Sequence, residues 1–164
     1  MRFLNGVTLT GGITSVDNTH GFYTLKGYQL IEGEEFTPAM EDYLEMIYRM
    51  VQKNGGVDGV KIKDLSKNLN VQPSSSSKMV QHLNRLGYIE AAKYGSITLT
   101  EKGKAAGNYL LYRHNVINSF LCLLNHSENQ LEETEKIEHF FSQQTIINLD
   151  GLVQKMIKDS NDKT

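Results

Sequence analysis

From Thr37 onward, segments with helical periodicity alternate with turn signals in a single order: helix, helix, tight turn, helix, two short strands, long helix. That order restricts the fold more than any single motif does. Thr37 is a good N-cap, and Pro38 suits the first helical position, where its missing N–H leaves nothing unpaired. Met40, Leu44, Ile47, Tyr48 and Val51 then recur at helical spacing until Asn54-Gly55-Gly56 ends the segment. A short second helix is expected over 61–70, with Ile62, Leu65 and Leu69 on one side. The turn at 70–73 leads into a third helix from Ser74 to Leu86, closed by Gly87. YIEAAKYGSITLT reads as two short strands around Lys93-Tyr94-Gly95-Ser96. Thr100 caps a long helix running to about Leu124, and two more helices are expected near 128–141 and 144–157.

Helix, helix, tight turn, helix and hairpin make a winged helix-turn-helix, so the fold class is mainly α with that unit placed ahead of a helical region. The expected domains are an N-terminal extension over 1–36, the winged unit over 37–105 and the helical region over 106–164. The extension holds six glycines and alternating pieces such as FYTLKGYQL, which suggest short β-strands in a hairpin or a loosely ordered arm. It carries no catalytic or binding motif.

A 39% hydrophobic composition suits a soluble globular chain. No apolar run approaches the roughly 20 residues needed to span a bilayer, and the N-terminus lacks an apolar signal-peptide core. No membrane association and a cytoplasmic address are therefore expected. The single cysteine, Cys122, lies in SFLCLL and reads as a small buried hydrophobe. The formal net charge of −2 conceals a division. Residues 60–104 hold eight Lys/Arg against three acids, whereas residues 125–150 hold one Lys against six acids. The first segment suits a phosphate backbone and the second suits cations.

The third helix carries the nucleic-acid signal. Its start presents Ser74, Ser75, Ser76 and Ser77, small hydroxyl residues that permit close approach, followed by Lys78, Gln81 and Arg85 down one side. Met79, Val80, Leu83 and Leu86 can face the core, and His82 falls on an outer flank. Lys93 and Tyr94, at the hairpin tip, are placed to touch the neighbouring backbone. Four serines in a row also occur as a plain helix start; the hairpin and the local positive charge favour the DNA-reading face.

Metal-ligand candidates fall in three groups. Asp42 and Glu45 stand at i, i+3 on the first helix, and Glu135, Glu138 and His139 stand at i, i+3, i+4 on the fifth, so each set shares a helix face. His114 lies midway along the long helix, in YRHNVI. Mixed oxygen and nitrogen donors without thiolates suit Mn²⁺ or Fe²⁺, and Glu135 or Glu138 could bridge two ions. Acid pairs at this spacing are common on solvated faces, and a mid-helix histidine is commonly structural. Spacing alone establishes two same-face groups and does not make the three helices converge.

TPAMEDYLEMIY, VQPSSSSKMVQHLNRLGYI, ITLTEKGK, YRH, EKIEH and LDGLVQKM, in this order from about Thr37 to Met156, resemble the diphtheria-toxin-repressor family, specifically its manganese-transport-regulator branch. The resemblance implies a metal-dependent transcriptional repressor whose winged unit is joined by the long helix to a dimerisation and metal-binding region. It also implies a binuclear site with Asp42, Glu45, His114, Glu135, Glu138 and His139 as ligands. An acid at Asp42, where the iron-type branch has methionine, points to Mn²⁺, with Fe²⁺ the other candidate. The expected partners are a double-stranded palindromic operator of metal-uptake genes and a second copy in a homodimer. Without metal the acids are expected to repel one another, leaving the two winged units free to sample many orientations. Two departures stand out: the 36-residue extension falls outside the resemblance, and Phe140 replaces a second histidine found in close relatives. Two other readings compete. One is a winged-helix regulator responding to a small organic ligand; the other is a binuclear-metal enzyme, for which the sequence offers no nucleophile or acid/base constellation.

Overall fold

The computed structural model describes residues 3–4, 7–9, 13–16, 36–55, 59–91 and 96–162. Two compact units result, over 1–35 and 36–164. In the first, β1 (Phe3–Leu4), β2 (Val7–Leu9) and β3 (Ile13–Val16) form an antiparallel sheet in that order, with Leu4 opposite Val7 and Leu9 opposite Ile13. The extension does contain strands. The FYTLKGYQL segment that suggested them lies outside the described residues.

In the second unit α1 (Pro38–Lys53) begins as its cap residues require: Thr37 Oγ1 accepts from the Met40 N–H at 3.4 Å, and Pro38 occupies the first turn. Its buried stripe is Met40, Tyr43, Leu44, Ile47 and Val51. Gly55, at φ +71°, turns the chain out of the helix. Strand β4 (Val60–Lys61) precedes α2 (Ile62–Asn68); Asn70, at φ +54°, makes the tight turn, and α3 (Pro73–Arg85) follows. Strands β5 (Ile89–Ala91) and β6 (Ser96–Leu99) pair antiparallel with Ile89 opposite Leu99, and β4 joins the other edge of β6 through Val60 opposite Ile97. Sequence reading missed β4, because two residues are too few to display a period of two.

Helix α4 (Glu101–Asn125) links two cores. Its first half closes the core made by α1, α2, α3 and the sheet, around Leu44, Ile47, Leu65, Leu83 and Ile97, with Leu110 as its own contribution. Its second half supplies Val116, Ile117 and Leu121 to a smaller cluster with Ile146 of α6 (Gln143–Asn161). Its buried positions Gly103, Gly107, Leu110, His114, Ile117 and Leu121 follow one another at steps of three and four on a single face, but glycines and a histidine interrupt the apolar stripe. Between the two cores lie two buried polar residues in succession, Arg113 and His114.

The helix expected near 128–141 is shorter than the acid spacing suggested. α5 (Leu131–Ile137) stops at Ile137, and Glu138–Phe140 form a 3₁₀ turn. That tighter turn, rather than a continuous α-helical face, carries Glu138 and His139.

Candidate metal centre and nucleic-acid interface

On α3, Ser74, Ser75, Lys78, Gln81 and Arg85 are exposed, and Ser77 is half-buried with its hydroxyl donating to the Pro73 carbonyl at 2.9 Å. Val80 and Leu83 point into the core, so the division of this helix into two faces is as expected. Ser76 is the exception. It is fully buried, with its Oγ 3.3 Å from the Tyr43 hydroxyl of α1, and so cannot reach DNA from this position. The reason is helical: Ser76 lies four residues before Val80 and seven before Leu83, on the inward stripe. His82 is exposed. Lys93 and Tyr94 lie outside the described residues.

The metal-ligand candidates do converge. Glu138, 1% exposed, is common to two groups of donors whose ligand atoms lie within 4.8 Å of one another: Asp42, Glu138 and His139, and Glu45, His114 and Glu138. His114 Nδ1 stands 2.8 Å from Glu138 Oε2 and 3.9 Å from Glu45 Oε1. His139 Nε2 stands 3.2 Å from Asp42 Oδ1. Glu135 belongs to neither group; its side chain is 58% exposed, and its Oε1 lies 3.5 Å from His114 Nδ1, at the rim. Helix α1 thus supplies two carboxylates, α4 one imidazole, and the 3₁₀ turn a carboxylate and an imidazole. The donor chemistry fits a hard-to-borderline divalent ion such as Mn²⁺ or Fe²⁺.

Sequence reading missed two residues. Glu41 Oε2 accepts from both the Arg113 guanidinium (Nη2, 2.7 Å) and His139 Nδ1 (2.6 Å). Arg113 is 3% exposed, and its Nε has no hydrogen-bond partner. The available signals were slight: a third acid beside Asp42, and an arginine directly before His114 on a helix with no clean apolar stripe.

The acids do not simply repel one another, as had been expected. Glu41 is held by Arg113 and His139, Asp42 by His139, Glu45 by Arg49 at 2.6 Å, and Glu138 by His114. Burial disfavours the Glu41 carboxylate, but bonds to His139 and Arg113 outweigh it and lower its pKa. Burial likewise opposes the His114 imidazolium, yet Glu138 and Glu45 raise its pKa. Glu135 is raised, by partial burial first and then by the charge of Glu138. His139, bonded to Asp42 and to Glu41, is pushed up to about 10.

A pH dependence follows from that last value. The folded chain holds the His139 proton more tightly than the unfolded chain, so the stabilisation is complete below about 6.5 and is lost as pH rises through about 10. Chelator-treated protein should therefore melt at a lower temperature at pH 9.5 than at pH 6.5. A melting temperature that rose over this interval would contradict the pairing.

A family model described as iron dependent repressor, N-terminal DNA binding domain, matches residues 35–97, and one described as iron dependent repressor, metal binding and dimerisation domain, matches residues 100–163. The chain is 40% identical over 124 residues to the HTH-type transcriptional regulator MntR of Geobacillus thermodenitrificans (strain NG80-2), covering 75% of this chain and 86% of that protein. It is 38% identical over 124 residues to the protein of the same name from Bacillus subtilis (strain 168), covering 75% and 85%. Among solved structures, the manganese regulator SloR superposes with a TM-score of 0.62 at 28% identity, and the metal-dependent transcriptional regulator MtsR with 0.63 at 27%. Each alignment covers 73% of this chain and 55% of the solved one, so the chain spans about half the length of those two. No helix among the described residues is long and apolar enough to cross a membrane. The two domain matches lie in the order of the fold and meet at the start of α4, and they carry the conclusion that the chain belongs to the iron-dependent repressor family of DNA-binding, metal-dependent regulators.

Proposed function

We propose that the protein is a manganese-responsive transcriptional repressor whose two metal ions set the position of its DNA-reading helix. The observation that carries this reading is the sharing of Glu138 between two donor groups that join α1 to α4 and to the 3₁₀ turn. Asp42, Glu45, His114, Glu138 and His139 hold the ions, with Glu135 closing over the rim of the second group. The aspartate at 42 favours Mn²⁺ over Fe²⁺, by resemblance to the manganese branch, and the similar solved structure described as the manganese regulator SloR agrees in direction.

When bound, the cations supply positive charge at which carboxylates from separate elements can meet. The rest is done by the chain. α1 packs through Tyr43 against Ser76 of α3, so the helix that offers Asp42 and Glu45 to the site also bears on the helix that reads DNA. Holding α1 against α4 therefore fixes the exposed Ser74, Ser75, Lys78, Gln81 and Arg85 relative to the C-terminal region. Leu124, Leu131, Phe140, Ile147 and Leu152 are large apolar side chains left exposed in that region, a surface suited to a second copy. A dimer places two reading helices at the spacing of a palindromic operator. Such a repressor works where the chromosome is, in the cytoplasm.

Binding of a labelled operator duplex, measured with Mn²⁺ and with chelator, tests this directly; equal affinity in both conditions would overturn it. Arg85→Ala separates the two halves. It is expected to weaken DNA binding by about 1–3 kcal/mol, roughly 5- to 150-fold, while Mn²⁺ affinity stays at the wild-type value. Loss of Mn²⁺ binding in that variant would mean that Arg85 had been assigned to the wrong half.

A further inference from the structure

Rotation about one bond would free a histidine ring to present either nitrogen to a metal, so an imidazole ligand needs something to hold its other face. His139 has such a partner in Glu41. Glu41 Oε2 sits 2.6 Å from Nδ1, while Nε2 faces Asp42 Oδ1 at 3.2 Å, on the side of the Asp42–Glu138–His139 donor group. Three acids occupy one turn of α1, Glu41, Asp42 and Glu45, yet Glu41 belongs to neither donor group. The structure supplies the reason. The buried Arg113 guanidinium donates to the same Glu41 oxygen at 2.7 Å and stands 3.3 Å from Nδ1, so one carboxylate oxygen serves two N–H donors and is committed away from the ion.

We infer that Glu41 and Arg113 are positioning residues for one of the two ions: Arg113 anchors Glu41, and Glu41 holds the His139 Nδ1–H so that the Nε2 lone pair is aimed at the Asp42–Glu138 group. Neither residue touches the metal. The arrangement also divides the labour within α1, with Glu41 orienting a ligand while its neighbours Asp42 and Glu45 serve as ligands. Outer partners of this kind fix the tautomer and orientation of a ligating imidazole, and losing one typically costs about 10–100-fold in metal affinity. The inference rests on the metal-sensing reading above and adds that the two ions respond differently to a single outer residue. Glu45, His114 and Glu138, which make up the other group, have no contact with Glu41 among the described hydrogen bonds and ion pairs.

The test uses the full chain and Mn²⁺ alone, with bound and free ion counted by electron paramagnetic resonance and the chelator-treated protein melted in parallel. Glu41→Gln keeps the shape and an acceptor oxygen but removes the charge that holds both donors. It is expected to bind one ion with wild-type affinity and the other roughly 10–100-fold more weakly, with an altered Mn²⁺ spectrum for the weakened site. Arg113→Lys, which keeps a cation against Glu41, is expected to retain more of that second affinity than Glu41→Gln does. Unchanged affinity for both ions in Glu41→Gln overturns the inference while leaving the metal-sensing reading intact. So does an equal loss at both sites accompanied by a lower melting temperature, which would mark a merely structural role. A wild-type chain that binds no Mn²⁺ overturns the sensing reading and this inference together.

Discussion

Glu138→Ala is expected to abolish stoichiometric Mn²⁺ binding and, with it, the difference in DNA affinity between metal-loaded and chelated protein. Each of the other ligand candidates belongs to at most one donor group, whereas Glu138 belongs to both. Its removal leaves Asp42 with His139 in one group and Glu45 with His114 in the other, with the exposed Glu135 alone at the rim of the second, too few to hold Mn²⁺ firmly against water. The loss should exceed the roughly 10–100-fold typical of an outer partner. Since allosteric couplings are usually about 1–3 kcal/mol, the metal-dependent gain in operator affinity that disappears should be roughly 5- to 150-fold. The fold should survive. His114 loses its 2.8 Å partner, but a buried imidazole can shed its proton and remain neutral, with Glu45 still 3.9 Å away. Calorimetric titration and a duplex-binding curve on the same sample measure both effects. Two ions bound at wild-type affinity would show that Glu138 is not the shared ligand.

The second large effect is structural. Gly103→Ala is expected to destabilise the winged unit by at least about 3 kcal/mol, at or beyond the upper end of ordinary overpacking. A Cβ at this position would lie 1.9 Å from the Tyr88 carbonyl oxygen and 2.9 Å from its carbon, and both are backbone atoms. That carbonyl cannot easily withdraw, because it accepts from the Thr100 N–H at 3.1 Å and from the Thr100 hydroxyl at 3.1 Å. Thr100 also caps α4, so the clash falls on the joint between sheet and long helix. At roughly 2–4 °C per kcal/mol for a chain of this size, the melting temperature should drop by about 6–12 °C or more. A change of only a degree or two would mean that the joint relaxes, and that α4 is less firmly seated than its cap implies.

Nothing in the pattern of LTEKGK marks its glycine as critical, for a physical reason. The residues that announce helix ends are read by their neighbours: Thr37 and Thr100 each bond an N–H three residues on, and Gly55 and Gly87 terminate helices through their own backbone angles. Such features are local, so a linear reading finds them. The order of the helices from Thr37 onward and the apolar stripes of the first three were legible for the same reason. Gly103 matters because of Tyr88, fifteen residues earlier, and no local pattern encodes that contact.

The same distinction governs the order in which the opening sequence signal became a site. By itself, the sequence determined the alternation of helices and turns from Thr37 onward, the exposed basic side of the reading helix, and the same-face pair Asp42 and Glu45. Periodicity and capping act within a few residues, and that is their range. Tertiary structure alone decided that the inward Ser76 meets Tyr43, that β4 completes the sheet, and that Glu138 serves two donor groups from a 3₁₀ turn. It alone brought Glu41, Arg113 and His139 together across separations of 72 and 26 residues. Those contacts exist because α4 passes from one core to the other, and the seam between two apolar clusters is where buried charge can gather and be paired.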